Sequence, residues 1–170
     1  MLKKLVLLDQ QTSRRLRIPA DRAVLRRGAS IFAHSADSWF WVAGLIILLF
    51  TAPPHWRSTL LLLLISIILT AIIILASKFA IKRPRPEGLW GTIYRKSDPH
   101  SFPSGHAARA GLIAGIILLT GSTGLGLLLV IWALLVNYAR IGLGVHYLSD
   151  ILVGTLIGIL LAGVFYTVWV

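Results

Sequence analysis

The chain contains no cysteine, so disulfides and thiolate-bound metals are excluded outright. Acidic residues are almost as scarce: six Asp and Glu stand against 17 Lys and Arg. The six, Asp9, Asp21, Asp37, Glu87, Asp98 and Asp150, are too scattered to read as a cation cluster, and no cofactor or metal is expected. Charged residues make up only 14% of the 170, and 56% are hydrophobic. That excludes an ordinary soluble domain and points to a membrane protein. In such a chain a net charge of +11 speaks for topology and anionic lipids rather than nucleic acid. Met1–Leu8, with Lys3 and Lys4, has too few apolar residues before Asp9 to read as a signal peptide.

The apolar runs predict an all-α polytopic membrane bundle of five spans. They cover Ser38–Ala52, Thr59–Ser77, Ser104 to about Thr120, the stretch after Gly121–Gly124 to about Tyr138, and Ile151–Val170. Residues 1–37 hold eight cations and no spanning run, and they read as amphipathic helices at the interface, broken near Pro19. The expected division is therefore an interfacial region, 1–37, and a membrane catalytic domain, 38–170. Residues 79–103 are polar and too proline-rich for one helix. Gly111/Gly115 and Gly154/Gly158 recur at helical spacing, the mark of close helix packing in a membrane.

This topology brings the unusual polar residues to one face. Lys78 ends the second span, Ser104-Gly105-His106 begins the third, and Arg140 to Asp150 lies between the fourth and fifth. Ser104 suits a helix N-cap, and the first-turn N–H groups beyond it form an anion site. His146 and Asp150 are four apart, so the carboxylate can bond one imidazole nitrogen and leave the other as a nucleophile. Lys78, Arg85 and Arg140 supply cations for a group that spreads negative charge, and His106 can protonate a leaving oxygen. Each residue alone has a duller account as cap, snorkelling cation or topology charge; together they point to phosphoryl chemistry.

Lys78-x6-Arg85-Pro86, Pro103-Ser104-Gly105-His106 and Arg140-x5-His146-x3-Asp150 resemble, in order and spacing, the three motifs of the type 2 phosphatidic acid phosphatase (PAP2) superfamily. The resemblance covers about residues 55–165. It implies a six-helix core and a metal-independent phosphatase working through a phosphohistidine. By motif position, His146 would be the nucleophile, Asp150 its orienter and His106 the general acid. Lys78, Arg85, Ser104, Gly105 and Arg140 would bind the phosphate. The third motif usually opens Ser-Arg; here Ala139 precedes Arg140, which removes a hydroxyl contact.

The expected substrate is a lipid phosphate monoester or diphosphate, with Arg95, Lys96 and Arg109, near Trp90 and Tyr94, as candidate headgroup contacts. All cations but Arg57 fall on the active-site face, so the positive-inside rule places that face in the cytoplasm, in the plasma (inner) membrane, whereas the family resemblance is more often to outward-facing enzymes. A phosphotransferase using an acceptor other than water, and a non-hydrolytic lipid or anion binder, stay open. A haloperoxidase shares the site residues, but such enzymes resemble larger soluble proteins.

Overall fold

The computed structural model describes residues 2–87 and 98–170. Among them the regular elements are helices: α1 (Leu2–Arg15), α2 (Ala23–Ser35), α3 (Ser38–Thr51), α4 (Arg57–Ile81), α5 (Gly105–Leu119), α6 (Thr123–Gly142) and α7 (Leu148–Trp169). A 3-10 turn, Pro54–Trp56, joins α3 to α4 at the double proline.

Helices α4, α6 and α7 are each long and apolar enough to cross a membrane. The pair α2 and α3 passes the same test together but bends by 56° at its break, and α5 is a shorter apolar helix. Leu, Ile and Val point outward along all of these helices, including Leu61, Ile65, Ile72, Leu128, Leu152 and Leu160. A water-soluble surface would not carry so continuous an apolar belt. The protein is a polytopic membrane helix bundle.

Inside that belt the driving force is close packing, since lipid is as apolar as leucine. Helices α5 and α7 run parallel, and glycines set their separation. A Cβ on Gly158 would stand 2.0 Å from the Ala108 carbonyl oxygen, and one on Gly154 would stand 2.5 Å from that of Ser104. On α5, Gly111 and Gly115 meet Thr155 and Ala162 in the same way. The small-residue spacing thus does what the sequence predicts. Leu63 and Ile67 of α4 pack with Leu112, Ile113 and Ile116 of α5 in the core.

Several helix ends lie further along than the hydropathy suggests. Helix α4 continues past Ser77 to Ile81 and stops at Lys82, whose φ of 53° is left-handed, just before Pro84. Lys78 therefore sits inside the last turn of α4. Helix α6 continues past Tyr138 to Gly142, which puts Arg140 in its last turn. The N-terminal helices also do more than lie flat: α2 packs against α6 through Ala29, Ala33, Ala139 and Leu143.

Candidate active site

Three segments meet at one end of the bundle. The Ser101 amide donates to the Arg83 carbonyl (2.8 Å), and the Ser104 amide donates to that of Asp150 (3.0 Å). These two bonds tie the Arg83–Pro86 stretch, the start of α5 and the start of α7 to one another. Ser104 is the N-cap of α5, its buried hydroxyl accepting from the Ala107 amide.

His146 lies in the turn between α6 and α7. Gly144, at a φ of 72°, reverses the chain there, and any Cβ would press on the Arg17 guanidinium. Asp150, fully buried in the first turn of α7, accepts from the Tyr147 amide with Oδ2 (2.9 Å) and from Arg83 Nη1 with Oδ1 (2.7 Å). Its Oδ2 also lies 3.4 Å from His146 Nδ1, longer than a well-formed hydrogen bond, and Nδ1 makes no hydrogen bond among the described residues.

On the other side of the ring, His146 Nε2 is 3.2 Å from Arg85 Nη1. A guanidinium can only donate, so Nε2 must be the acceptor and Nδ1 carries the proton toward Asp150. Burial, and then Arg140, Arg85, Lys78 and His106, push the imidazole well below its usual pKa of 6.5. The ring is therefore neutral, with its lone pair on Nε2 turned toward Arg85.

Arg85 is held from all sides: Nε donates to the Asp98 carbonyl (2.7 Å), Nη1 to that of Val145 (3.0 Å) and Nη2 to the Asp98 carboxylate (2.7 Å). Lys78 pairs with the same carboxylate. Asp98 thus bridges two of the cations that the motifs assign to phosphate. Arg140 is buried close enough to His146 to depress its pKa. Gly105 opens α5 beside them.

His106 has a carboxylate of its own: Nε2 lies 2.7 Å from Asp37 Oδ1, at the corner between α2 and α3. One turn later Arg109 donates to the Ala36 carbonyl and the Ser38 hydroxyl, which pins the same corner. A cavity of about 290 Å³ starts at Lys78, His106 and Arg109 and follows one face of α4 through Ile74 and Thr70 to Ile67. Its head carries Lys78, Arg109 and the Asp98 carboxylate, and its walls are mainly the apolar side chains of Ile67, Ala71, Ile74 and Leu75.

Lys78, Arg85, Ser104, Gly105, His106, Arg140, His146 and Asp150 are thus gathered at one end, with Arg109 beside His106. Arg95, Lys96, Trp90 and Tyr94 lie outside the described residues. Sequence reasoning missed Asp37, Asp98, Arg83 and Asp9. Each meets its partner through the fold, and only the Lys82–Glu87 basic stretch hinted at any of them. Among the described residues no group of three His, Asp or Glu is placed to hold a metal ion.

Fold and site together define an integral-membrane helix bundle in which two histidines, each facing a carboxylate, stand among clustered cations. Residues 59–170 match the PAP2 superfamily, and the chain belongs to it. Among curated proteins it is 35% identical over 85 residues to an undecaprenyl-diphosphatase of Sulfolobus acidocaldarius, covering 48% of this chain and 41% of that one. It is 38% identical over 65 residues to a lipid A 4'-phosphatase of Bacteroides thetaiotaomicron, covering 38% of this chain and 29% of that one. These matches span less than half the length of either relative. A transmembrane PAP2-type phosphatidylglycerolphosphate phosphatase from Bacillus subtilis superposes with a TM-score of 0.80 at 22% identity, over 97% of this chain and 86% of that one. Aquifex aeolicus LpxE superposes with a TM-score of 0.74 at 27% identity, over 92% and 93%.

Proposed function

We propose that the protein is a lipid phosphatase that removes a terminal phosphate from a phospholipid or a polyprenyl phosphate or diphosphate through a phosphohistidine. The observation that carries this is the His146 ring, neutral, buried and oriented with Nε2 toward Arg85. Nε2 attacks phosphorus, and the P–O bond to the lipid breaks. The leaving oxygen takes its proton from His106; burial and Arg140 disfavour the protonated ring, and Asp37 together with the negative charge of the bound phosphate favours it. Lys78, Arg85, Arg140 and the first-turn amides of α5 hold the phosphoryl oxygens. In the second step neutral His106 takes a proton from water, the water oxygen bonds phosphorus, and the P–N bond to His146 breaks, releasing inorganic phosphate.

The apolar cavity along α4 supports a lipid substrate, because an acyl or prenyl chain would replace the hydrocarbon it left. Arg109 lines that cavity beside His106 and, with Arg95 and Lys96, would meet the headgroup. The cations gathered at this end, with Arg57 at the far end of α4, support a cytoplasmic site in the inner membrane.

The test is phosphate release by the purified chain from phosphatidic acid, phosphatidylglycerol phosphate and polyprenyl phosphates and diphosphates, with EDTA present. Release by the wild type and none by His146→Ala is the expected result. Loss of activity to EDTA with recovery in magnesium would overturn the metal-free route. Transfer to a competing alcohol in preference to water would make the protein a phosphotransferase.

A further inference from the structure

Helix α1 reaches the start of α7 through one carboxylate and one hydroxyl. Asp9 Oδ2 accepts from Arg83 Nη2 (2.7 Å) and from the Ser149 hydroxyl (2.6 Å), and Oδ1 accepts from the Ser149 amide (3.0 Å). One turn on, the Ser13 hydroxyl accepts from the Leu148 amide (2.8 Å) and donates to the Asp9 carbonyl (2.6 Å). Apart from that last bond within α1, these contacts fall on the first turn of α7, beside Asp150, or on Arg83.

Arg83 is the link. Its Nη1 donates to Asp150 Oδ1 (2.7 Å) and to Ser149 Oγ (2.6 Å), and its guanidinium carbon stands 4.1 Å from the centre of the Tyr147 ring. A guanidinium facing a carboxylate tends to take both oxygens through a forked pair of bonds. Were Arg83 to do so, it would contest Asp150 Oδ2, the oxygen that faces His146 Nδ1. Asp9 occupies the second arm of the fork and prevents this.

Resting on the phosphatase reading, we infer that Asp9 is a positioning residue for the nucleophile: it confines Arg83 to one oxygen of Asp150 and leaves the other to the Tyr147 amide and His146. Burial alone would raise the Asp9 carboxyl, but the Ser149 hydrogen bond and the Arg83 contact outweigh it, and its pKa is lowered from 3.8. The group is charged at neutral pH, as the role requires. A purely mechanical tie between α1 and α7 would not depend on that charge.

The experiment compares wild type, Asp9→Asn and Asp9→Glu, and repeats Asp9→Asn in an Asp150→Asn background, all in the full-length chain. Steady-state rates on a lipid phosphate are measured beside the imidazole 15N shifts of His146, which report its tautomer. Asp9→Asn is expected to lower kcat about tenfold, the scale of one hydrogen bond to a charged group, with KM within about twofold. The His146 signals should move from the Nδ1–H form toward a mixture of tautomers. Asp9→Glu should restore most of the rate, and in the Asp150→Asn background Asp9→Asn should cost nothing further. Equal losses in both backgrounds, or an unchanged tautomer in folded Asp9→Asn, overturn the inference. Ser149→Ala removes the hydroxyl between Asp9 and Arg83; a smaller tautomer shift of the same sign supports the inference even if Asp9→Asn does not fold. A wild type that releases no phosphate overturns the phosphatase reading alone, and the tautomer comparison still decides the role of Asp9.

Discussion

Replacing Gly158 by alanine tests the packing that sets the site. The new Cβ would lie 2.0 Å from the Ala108 carbonyl oxygen, 2.8 Å from its carbon and 2.9 Å from the Leu112 nitrogen, where ordinary contact begins at 3.4 Å. All three obstacles are backbone, so no rotamer change relieves the clash. Helices α5 and α7 must part by more than about 1 Å, which forfeits much of their dispersion contact. Overpacking of this kind costs about 3 kcal/mol, offset by the roughly 1 kcal/mol that alanine gains over glycine in a helix. The net of about 2 kcal/mol corresponds to a fall in Tm of roughly 4–8 °C. Activity should suffer more than stability. The displaced α5 carries His106, the displaced α7 carries Asp150, and a shift of about 1 Å at reacting groups costs on the order of 100-fold. Thermal unfolding in detergent and phosphate release would be measured together, with Gly163→Ala on the same helix as control, since nothing stands within 4 Å of its Cβ. A Gly158→Ala protein with wild-type Tm and rate would refute the close α5–α7 contact.

Because His146 is depressed well below 6.5, its neutral form persists as pH falls through that value; the acid limb of kcat/KM should lie well below 6.5, and a limb at 6.5 or above would contradict the burial argument. Asp37→Asn should lower kcat for an alkyl phosphate by about 10–100-fold but barely affect p-nitrophenyl phosphate, whose leaving group needs no proton. Equal losses on both would show that Asp37 supports the fold rather than the acid. Asp98→Asn removes the carboxylate that Lys78 and Arg85 share, so KM for the lipid and the inhibition constant for inorganic phosphate should both fall about tenfold, with kcat little changed. Weaker phosphate inhibition would mean that Asp98 orders those cations rather than competing for them.

The parts of the site that lie within a few residues of one another are legible in the sequence itself. His146 and Asp150, or Ser104, Gly105 and His106, sit together because a single turn places them, and helix packing shows in the glycine spacing. The partners that complete each pair are not legible there. Asp37 reaches His106 from 69 residues away and Asp9 reaches Arg83 from 74, and neither carries a local pattern. The amphipathic character of α1 indicates a helix with one polar face, but it leaves open whether that face meets headgroups or the first turn of α7. Hydropathy misplaces the end of α6 because the charge of Arg140 makes its last turn read as loop, although the side chain is buried there.

The cavity beside α4 has a kinetic consequence. From Lys78 to Ile67 it follows twelve residues of helix, a rise of about 16 Å against the roughly 30 Å of a hydrocarbon layer. A molecule that fills it while keeping its phosphate at Lys78 is already dissolved in the bilayer when it arrives. For the proposed lipid substrate, encounter would be a two-dimensional search, with saturation governed by mole fraction in the surface rather than by bulk molarity. Adding inert lipid or detergent at constant substrate should slow the enzyme by dilution alone, and rates measured in different micelles become comparable only on that scale.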